Sequence, residues 1–203
     1  SLFPEAKNSS AVGGQNIPQV PLKSGTFQSA LSELQTQVVT VLTAGGGGSG
    51  FFITDRLLLT NEHVVNGHKT VKIKFHGNRQ LAAEVVATDA RRDIALLRTE
   101  PAGVSGLPLR LDPPQMGDRV FVLGSPLDDA LEGTLTSGIV SAIRDYKDEG
   151  RYRLNGKFIQ SDVTVNHGNS GGPMFDDKGN VIGLTDLGLS GQDGRAIGVN
   201  LFI

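Results

Sequence analysis

The sequence predicts an all-β protein, and three observations carry that expectation. Short runs rich in Val, Ile, Leu and Phe follow one another along the chain, and turn chemistry separates them at Asn66-Gly67, Gly77-Asn78, Asn155-Gly156 and Lys178-Gly179-Asn180. Val71-Lys72-Ile73-Lys74-Phe75 alternates apolar and polar residues, the pattern of a strand with one buried face. The 203 residues include 27 Gly but no Trp and only two Tyr, which favours tight turns and short strands over long helices. Strands at this spacing build barrels or a sandwich.

Taken in order, residues 1–26 mix Ser, Asn, Gly, Gln and Pro without periodicity and read as an N-terminal arm or linker. Leu31–Leu34 has the character of a helical turn, and Val38–Leu42 opens the β-rich part. Further strands are expected at Phe51–Ile53, Leu57–Leu59, Val71–Phe75, Leu81–Ala87, Ile94–Arg98 and Arg119–Leu123. The series continues with Gly133–Ile143, Lys157–Gln160, Met174–Phe175, Val181–Thr185 and Ala196–Phe202. The Pro- and Gly-rich stretch from Glu100-Pro101-Ala102-Gly103 to Asp112-Pro113-Pro114 reads as a joint between two subdomains. Gly45–Gly48 reads as a hairpin turn. No Gly-Lys-Ser/Thr follows it, so it is no phosphate loop.

Composition excludes several classes of function. The chain has no Cys, so neither a disulfide nor a thiolate nucleophile or zinc ligand enters. A net charge of −2 gives no basic surface of the kind that binds nucleic acid. No apolar run approaches 18 residues, so no integral membrane segment is expected in this chain, and no secretory signal is visible. His68, His76 and His167 lack the spacing of a zinc site. Asp128-Asp129 with Glu132 lacks the alternation of a calcium loop. Neither a metal nor another cofactor is expected.

Three local patterns carry chemistry. Gly168-Asn169-Ser170-Gly171-Gly172-Pro173 sets a Ser in a bend where glycines permit a sharp turn and close approach of substrate. The backbone N–H groups of Gly168 and Ser170 would form an oxyanion hole, one donor of which is typically worth ~3 kcal/mol of barrier. Thr60-Asn61-Glu62-His63-Val64-Val65 follows Leu57-Leu58-Leu59 and places an imidazole at a strand end, where it could act as a general base. Arg92-Asp93-Ile94-Ala95-Leu96-Leu97 places an acid at the entry to an aliphatic strand, where it could hold His63 in one tautomer. Each has a bland alternative when taken alone: a Gly-rich turn, a surface histidine, a solvated turn residue. Together they recur in the order His63, Asp93, Ser170, with spacings of 30 (63 to 93) and 77 (93 to 170), the chain order of trypsin-like enzymes.

With those residues the chain resembles the HtrA/Deg branch of the trypsin-like serine proteases, from about Leu31 to Phe202. Further marks are Gly48-Ser49-Gly50-Phe51, Gly124-Ser125-Pro126, Thr136–Ser141 and Phe158–Asp162 leading into Gly168–Pro173. The resemblance implies two six-stranded antiparallel β-barrels of the trypsin/chymotrypsin type, the first about 27–107 and the second about 113–203. It implies His63, Asp93 and Ser170 as catalytic triad, polypeptide substrates, a homotrimer built through N-terminal residues, and an extracytoplasmic location, periplasmic or secreted. It also implies Val165 as one wall of the pocket for the side chain before the cut, with Leu184, Thr185, Asp186 and Leu187 opposite. The alternative is a peptide-binding or chaperone-like pseudoprotease, against which the intact triad speaks.

The chain departs from its relatives in ways that touch substrate preference and regulation. No peptide-binding PDZ domain follows, the sequence stopping at Ile203, and the turn at Gly45–Gly50 is short. His167 stands where Pro is usual, Leu184-Thr185-Asp186 stands where Ile-Asn-Thr is usual, and the residue before the nucleophile is the neutral Asn169. A carboxylate at Asp186 turned into the pocket would favour cleavage after a basic residue. Neighbours in a strand alternate faces, and an unpaired charge in an apolar pocket is costly. Asp186 is therefore expected to face solvent, leaving an aliphatic pocket.

Overall fold

The computed structural model describes residues 20–77, 79–125, 133–147, 155–165, 168–186 and 197–200. Val38–Thr43 (β1) and Gly46–Phe52 (β2) form the first hairpin. With Leu57–Thr60 (β3), Thr70–Lys74 (β4), Gln80–Asp89 (β5) and Ile94–Arg98 (β6) they close a barrel in the order β1-β2-β3-β6-β5-β4. Arg119–Leu123 (β7), Leu135–Lys147 (β8), Asn155–Ser161 (β9), Pro173–Phe175 (β10), Val181–Thr185 (β11) and Ile197–Asn200 (β12) close a second, in the order β10-β11-β12-β9-β8-β7. Pairing is antiparallel throughout both barrels, and among the described residues each strand has a neighbour on both sides.

Each barrel has its own interior. In β4 the alternation is as the sequence predicts: Val71 and Ile73 are buried with Val39, Val41, Phe52 and Leu58, while Thr70 and Lys72 are exposed. Val120, Val122, Val140, Ile159, Met174 and Ile182 fill the second barrel. A further core lies between the two, where Phe51, Leu59 and Leu96 of the first barrel meet Phe121, Leu123, Phe175 and Leu184 of the second. Strands that serve both an interior and this seam are covered on both faces. That is why Leu58-Leu59 and Ile94–Leu97 are continuous apolar runs with no alternation.

The helical turn expected at Leu31–Leu34 is a longer helix, α1 (Phe27–Gln35). Thr26 caps it, its hydroxyl accepting from the Ser29 N–H, a contact of a type worth ~1 kcal/mol. Phe27 stacks on Phe121 with ring centroids 4.1 Å apart and tilts against Phe175, so α1 packs on the second barrel although it precedes the first. Burying such a ring is worth roughly 2–3 kcal/mol. The chain ahead of α1 is fastened to the same barrel: the Lys23 N–H donates to Asn180 Oδ1 and the Phe27 N–H to the Asp177 carbonyl, each at 2.7 Å.

The Pro/Gly-rich joint is stapled to both halves. The Leu107 N–H donates to the Phe52 carbonyl, and residues 108 and 110 exchange backbone hydrogen bonds with Val181. Arg110 adds an ion pair to the buried Asp176, whose other oxygen receives the N–H groups of Lys178 and Asn180.

Two elements differ from expectation for a local reason. The hairpin turn is at Ala44-Gly45, and Gly46 already belongs to β2. The glycine run lies inside a strand because a Cβ on Gly48 would press on the Ser170 carbonyl and on Val64. β8 runs on to Lys147, past the expected Ile143, because residues 142–147 keep pairing with β9 beyond an irregularity at Val140/Ala142. Asn78, Pro126, Asp128, Asp129, Glu132, His167, Leu187 and Phe202 lie outside the described residues.

Candidate active site

His63 is carried on a single helical turn, α2 (Glu62–Val65), directly after β3. Val64 and Val65 are buried in the first barrel, and this anchoring leaves the His63 side chain on the outer side, 49% exposed. Asn61 precedes the turn without capping it. Its side-chain N–H donates instead to the Asp93 carbonyl at 2.9 Å.

Asp93 sits just ahead of β6 with φ of +51°, one of two non-glycine residues with positive φ among those described. An L-residue pays roughly 1–2 kcal/mol for that conformation, so neighbouring bonds must hold it. Oδ1 accepts the His63 backbone N–H at 2.9 Å and Oδ2 lies 2.6 Å from His63 Nδ1. An ionised carboxylate only accepts, so Nδ1 carries the proton and Nε2 is left with its lone pair. The Asp93 hydrogen bond holds His63 above the usual imidazole pKa. Partial burial opposes it, and the charges of Asp93, Asp186 and Glu62 reinforce it.

The Ser170 turn comes from the second barrel and is shaped largely by the first. Gly168 and Gly171 take φ of +104° and +84°. The Ser49 N–H donates to the Ser170 carbonyl at 2.7 Å, and Ser49 Oγ donates to the Gly168 carbonyl at 2.5 Å. Ser49 Oγ also accepts the Ser125 N–H, and the Ser49 carbonyl accepts from the Thr60 hydroxyl. From the other side the Gly171 N–H donates to the Thr185 carbonyl at 2.9 Å. Ser170 itself is nearly buried, at 6% exposure, and not freely exposed. Asn169 is fully buried, its amide packed against Gly124 and without a hydrogen-bond partner among the described residues.

The structure corrects the orientation expected for Asp186. It is 1% exposed and does not face solvent: one carboxylate oxygen lies within 4.8 Å of a His63 ring nitrogen and of an Asp93 oxygen. Alternation along β11 decides which residues share a face but not what covers that face. Leu184, two residues back and so on the same face, belongs to the core between the barrels, and that face looks onto the first barrel. For the same reason the Leu184 side chain is buried in the seam. The Thr185 backbone pairs with Gly171 and Gly172, and Val165 packs half-buried at the margin of the second barrel's core. Ser49 is the residue with a role in the site that composition and spacing missed. Gly48-Ser49-Gly50-Phe51 marks the family resemblance, but the segment by itself gives Ser49 no role.

The chain can be compared with known proteins on this geometry. The family model described as the trypsin-like peptidase domain matches residues 48–184, from Gly48 to Leu184. A probable periplasmic serine endoprotease, DegP-like, of Ectopseudomonas mendocina is 35% identical over 84% of this chain and 32% of its own length. The mitochondrial serine protease HTRA2 of Bos taurus is 40% identical over 69% of the chain and 31% of its own. The chain thus spans about a third of the length of the curated relatives it matches. Among solved structures, the serine endoprotease from Yersinia pestis superposes with a TM-score of 0.69 at 28% identity, covering 90% of this chain and 63% of that one.

Proposed function

The chain belongs to the trypsin-like peptidase family, and from that premise we propose that it is a serine endopeptidase of HtrA/Deg type that cleaves unfolded or damaged polypeptides. The observation that carries the proposal is the doubly bonded Asp93 carboxylate, which fixes the His63 tautomer with Nε2 free for proton transfer. His63 takes the proton of Ser170 as its Oγ attacks the peptide carbonyl; the N–H groups of Gly168 and Ser170 receive the oxyanion. The imidazolium then protonates the leaving amine, and water activated by the same imidazole releases the acyl group. Asn169 is neutral, so activation by an ion pair to a new N-terminus has no partner at that position. An extracytoplasmic location and a homotrimer belong to the same proposal, supported by the periplasmic naming of several relatives for the first and by family resemblance for the second. Among the described residues no helix is long and apolar enough to cross a membrane.

The test is hydrolysis of denatured casein, with the cut sites mapped by mass spectrometry. With Asp186 turned toward His63, the pocket beside Val165 would hold no Asp186 charge. Cleavage is expected after Val, Ala, Leu or Ile, with modest discrimination because one methylene is worth ~1–3 kcal/mol. Cuts mainly after Lys or Arg would overturn the aliphatic pocket. No cuts at all would favour the pseudoprotease alternative.

The pH dependence follows from His63. Only neutral imidazole accepts the Ser170 proton, so kcat/KM falls as pH drops through the His63 pKa. Because Asp93 raises that pKa, the midpoint of the acidic limb is expected above the ordinary value of ~6.5. A rate constant from pH 5 to 8 would remove His63 from the role of base.

A further inference from the structure

The second carboxylate in the cleft has no part in a three-residue mechanism, yet it is the most buried ionisable group near it. Asp186 is 1% exposed, at the end of β11, on the opposite barrel from His63 and Asp93. His63, Asp93 and Asp186 each place one polar atom within 4.8 Å of the others'. A carboxylate is not kept this far from water without compensation. Among the described residues the His63 imidazole lies within reach of it and feels its charge.

We propose that Asp186 is a positioning residue for proton transfer, a second counter-charge that stabilises the His63 imidazolium from the second barrel, beside Asp93. The proposal rests on reading the cleft as a protease site and concerns how that site is tuned. A proton suits this cluster better than a cation: Nδ1 and Oδ2 stand 2.6 Å apart, a proton-sharing distance, whereas two ligands at ~2.0 Å on a tetrahedral zinc lie about 3.3 Å apart. The titratable groups acting on His63 are Asp93, ahead of β6, Asp186, after β11, and Glu62 on its own turn. All three act in the same direction, with Asp186 ahead of Glu62 and behind Asp93.

With two carboxylates facing it, the imidazolium survives to higher pH than it would beside Asp93 alone. The base is then a stronger proton acceptor, but it becomes free only at a more alkaline pH. Asp186 thereby sets the pH at which the enzyme switches on, and the cost is activity in acid.

The experiment measures the acidic limb of kcat/KM for the wild-type protein, Asp186→Asn, Asp186→Thr and Glu62→Gln. Removing the Asp186 charge is expected to move the limb toward lower pH. At a pH on the wild-type limb, each Asp186 variant should retain severalfold more of its own plateau rate, and Glu62→Gln should move the limb less. A second arm needs no turnover and no change at position 186: NMR titration of the His63 ring and the aspartate carboxyl carbons in Ser170→Ala. Asp186 is expected to be ionised throughout the His63 step. A limb unmoved in both Asp186 variants, or an Asp186 carboxyl still protonated while His63 titrates, overturns the proposal. A wild-type protein that cleaves nothing would count against the protease reading, and the NMR arm would still decide the role of Asp186.

Discussion

Ser170→Ala is expected to lower the rate of casein hydrolysis by a factor on the order of 10⁴ to 10⁶ while leaving thermal stability nearly unchanged. The two halves of that expectation have separate origins. Without Oγ there is no acyl-enzyme, and what remains is whatever the oxyanion donors and substrate binding do for attack by water. The turn, however, is not held by the Ser170 side chain. Its carbonyl is bound by the Ser49 N–H, Gly168 by Ser49 Oγ and Gly171 by Thr185, and all three bonds survive the substitution. Rates on purified protein together with a melting curve check both parts. Substantial proteolysis in the variant would remove Ser170 as nucleophile.

Gly171→Ala is expected to be the opposite kind of lesion, losing stability and activity together. At φ of +84° the residue lies where L side chains are strained, and a Cβ would overlap the Ser49 carbonyl and the Thr60 hydroxyl. Neither can step aside, because the two are bonded to each other at 2.7 Å and both residues are fully buried. The loss should be about 3 kcal/mol or more, which for a chain of this size lowers Tm by roughly 6–12 °C. Gly117→Ala is the control. Its φ is +93° but a Cβ there meets nothing within 4 Å, so it isolates the backbone cost of about 1 kcal/mol. Equal melting shifts in the two variants would mean that the approach of Ser49 to Gly171 is not as tight as described.

Which parts of this site could be read from sequence follows from where their information lies. Gly168–Pro173, Thr60–Val65 and Asp93–Leu96 are legible because each encodes its own local geometry: a bend, a strand end, a strand entry. The strand series was legible for the same reason, including the alternation in β4. Asp186 was not, because its direction depends on what covers β11. The local pattern says only that Asp186 and Leu184 share a face, and the packing of one barrel on the other makes that face a seam. Ser49 is a similar case. Its importance lies in four partners, Ser170, Gly168, Ser125 and Thr60, three of them far away in the chain. The glycine run around it reads as a turn until one knows that Ser170 must come close to Gly48. Phe27 lies ahead of the helical turn legible at Leu31–Leu34, and only the distant Phe121 explains why α1 begins there.

The division of the site between barrels also bears on how the chain is made. A ribosome delivers residues in order, at roughly 5–20 per second, and early parts begin to fold before late ones exist. The paired His63 and Asp93, both on the first barrel, thus come before Ser170 in the chain. The nucleophile arrives later, and its bend needs Ser49, already in place, and Thr185, which follows. The second barrel closes only when β12 has paired with both β9 and β11. On the proposed reading, competence to cleave would therefore wait for β12 to pair, and the nascent chain would pass through its half-folded stage before the site is complete.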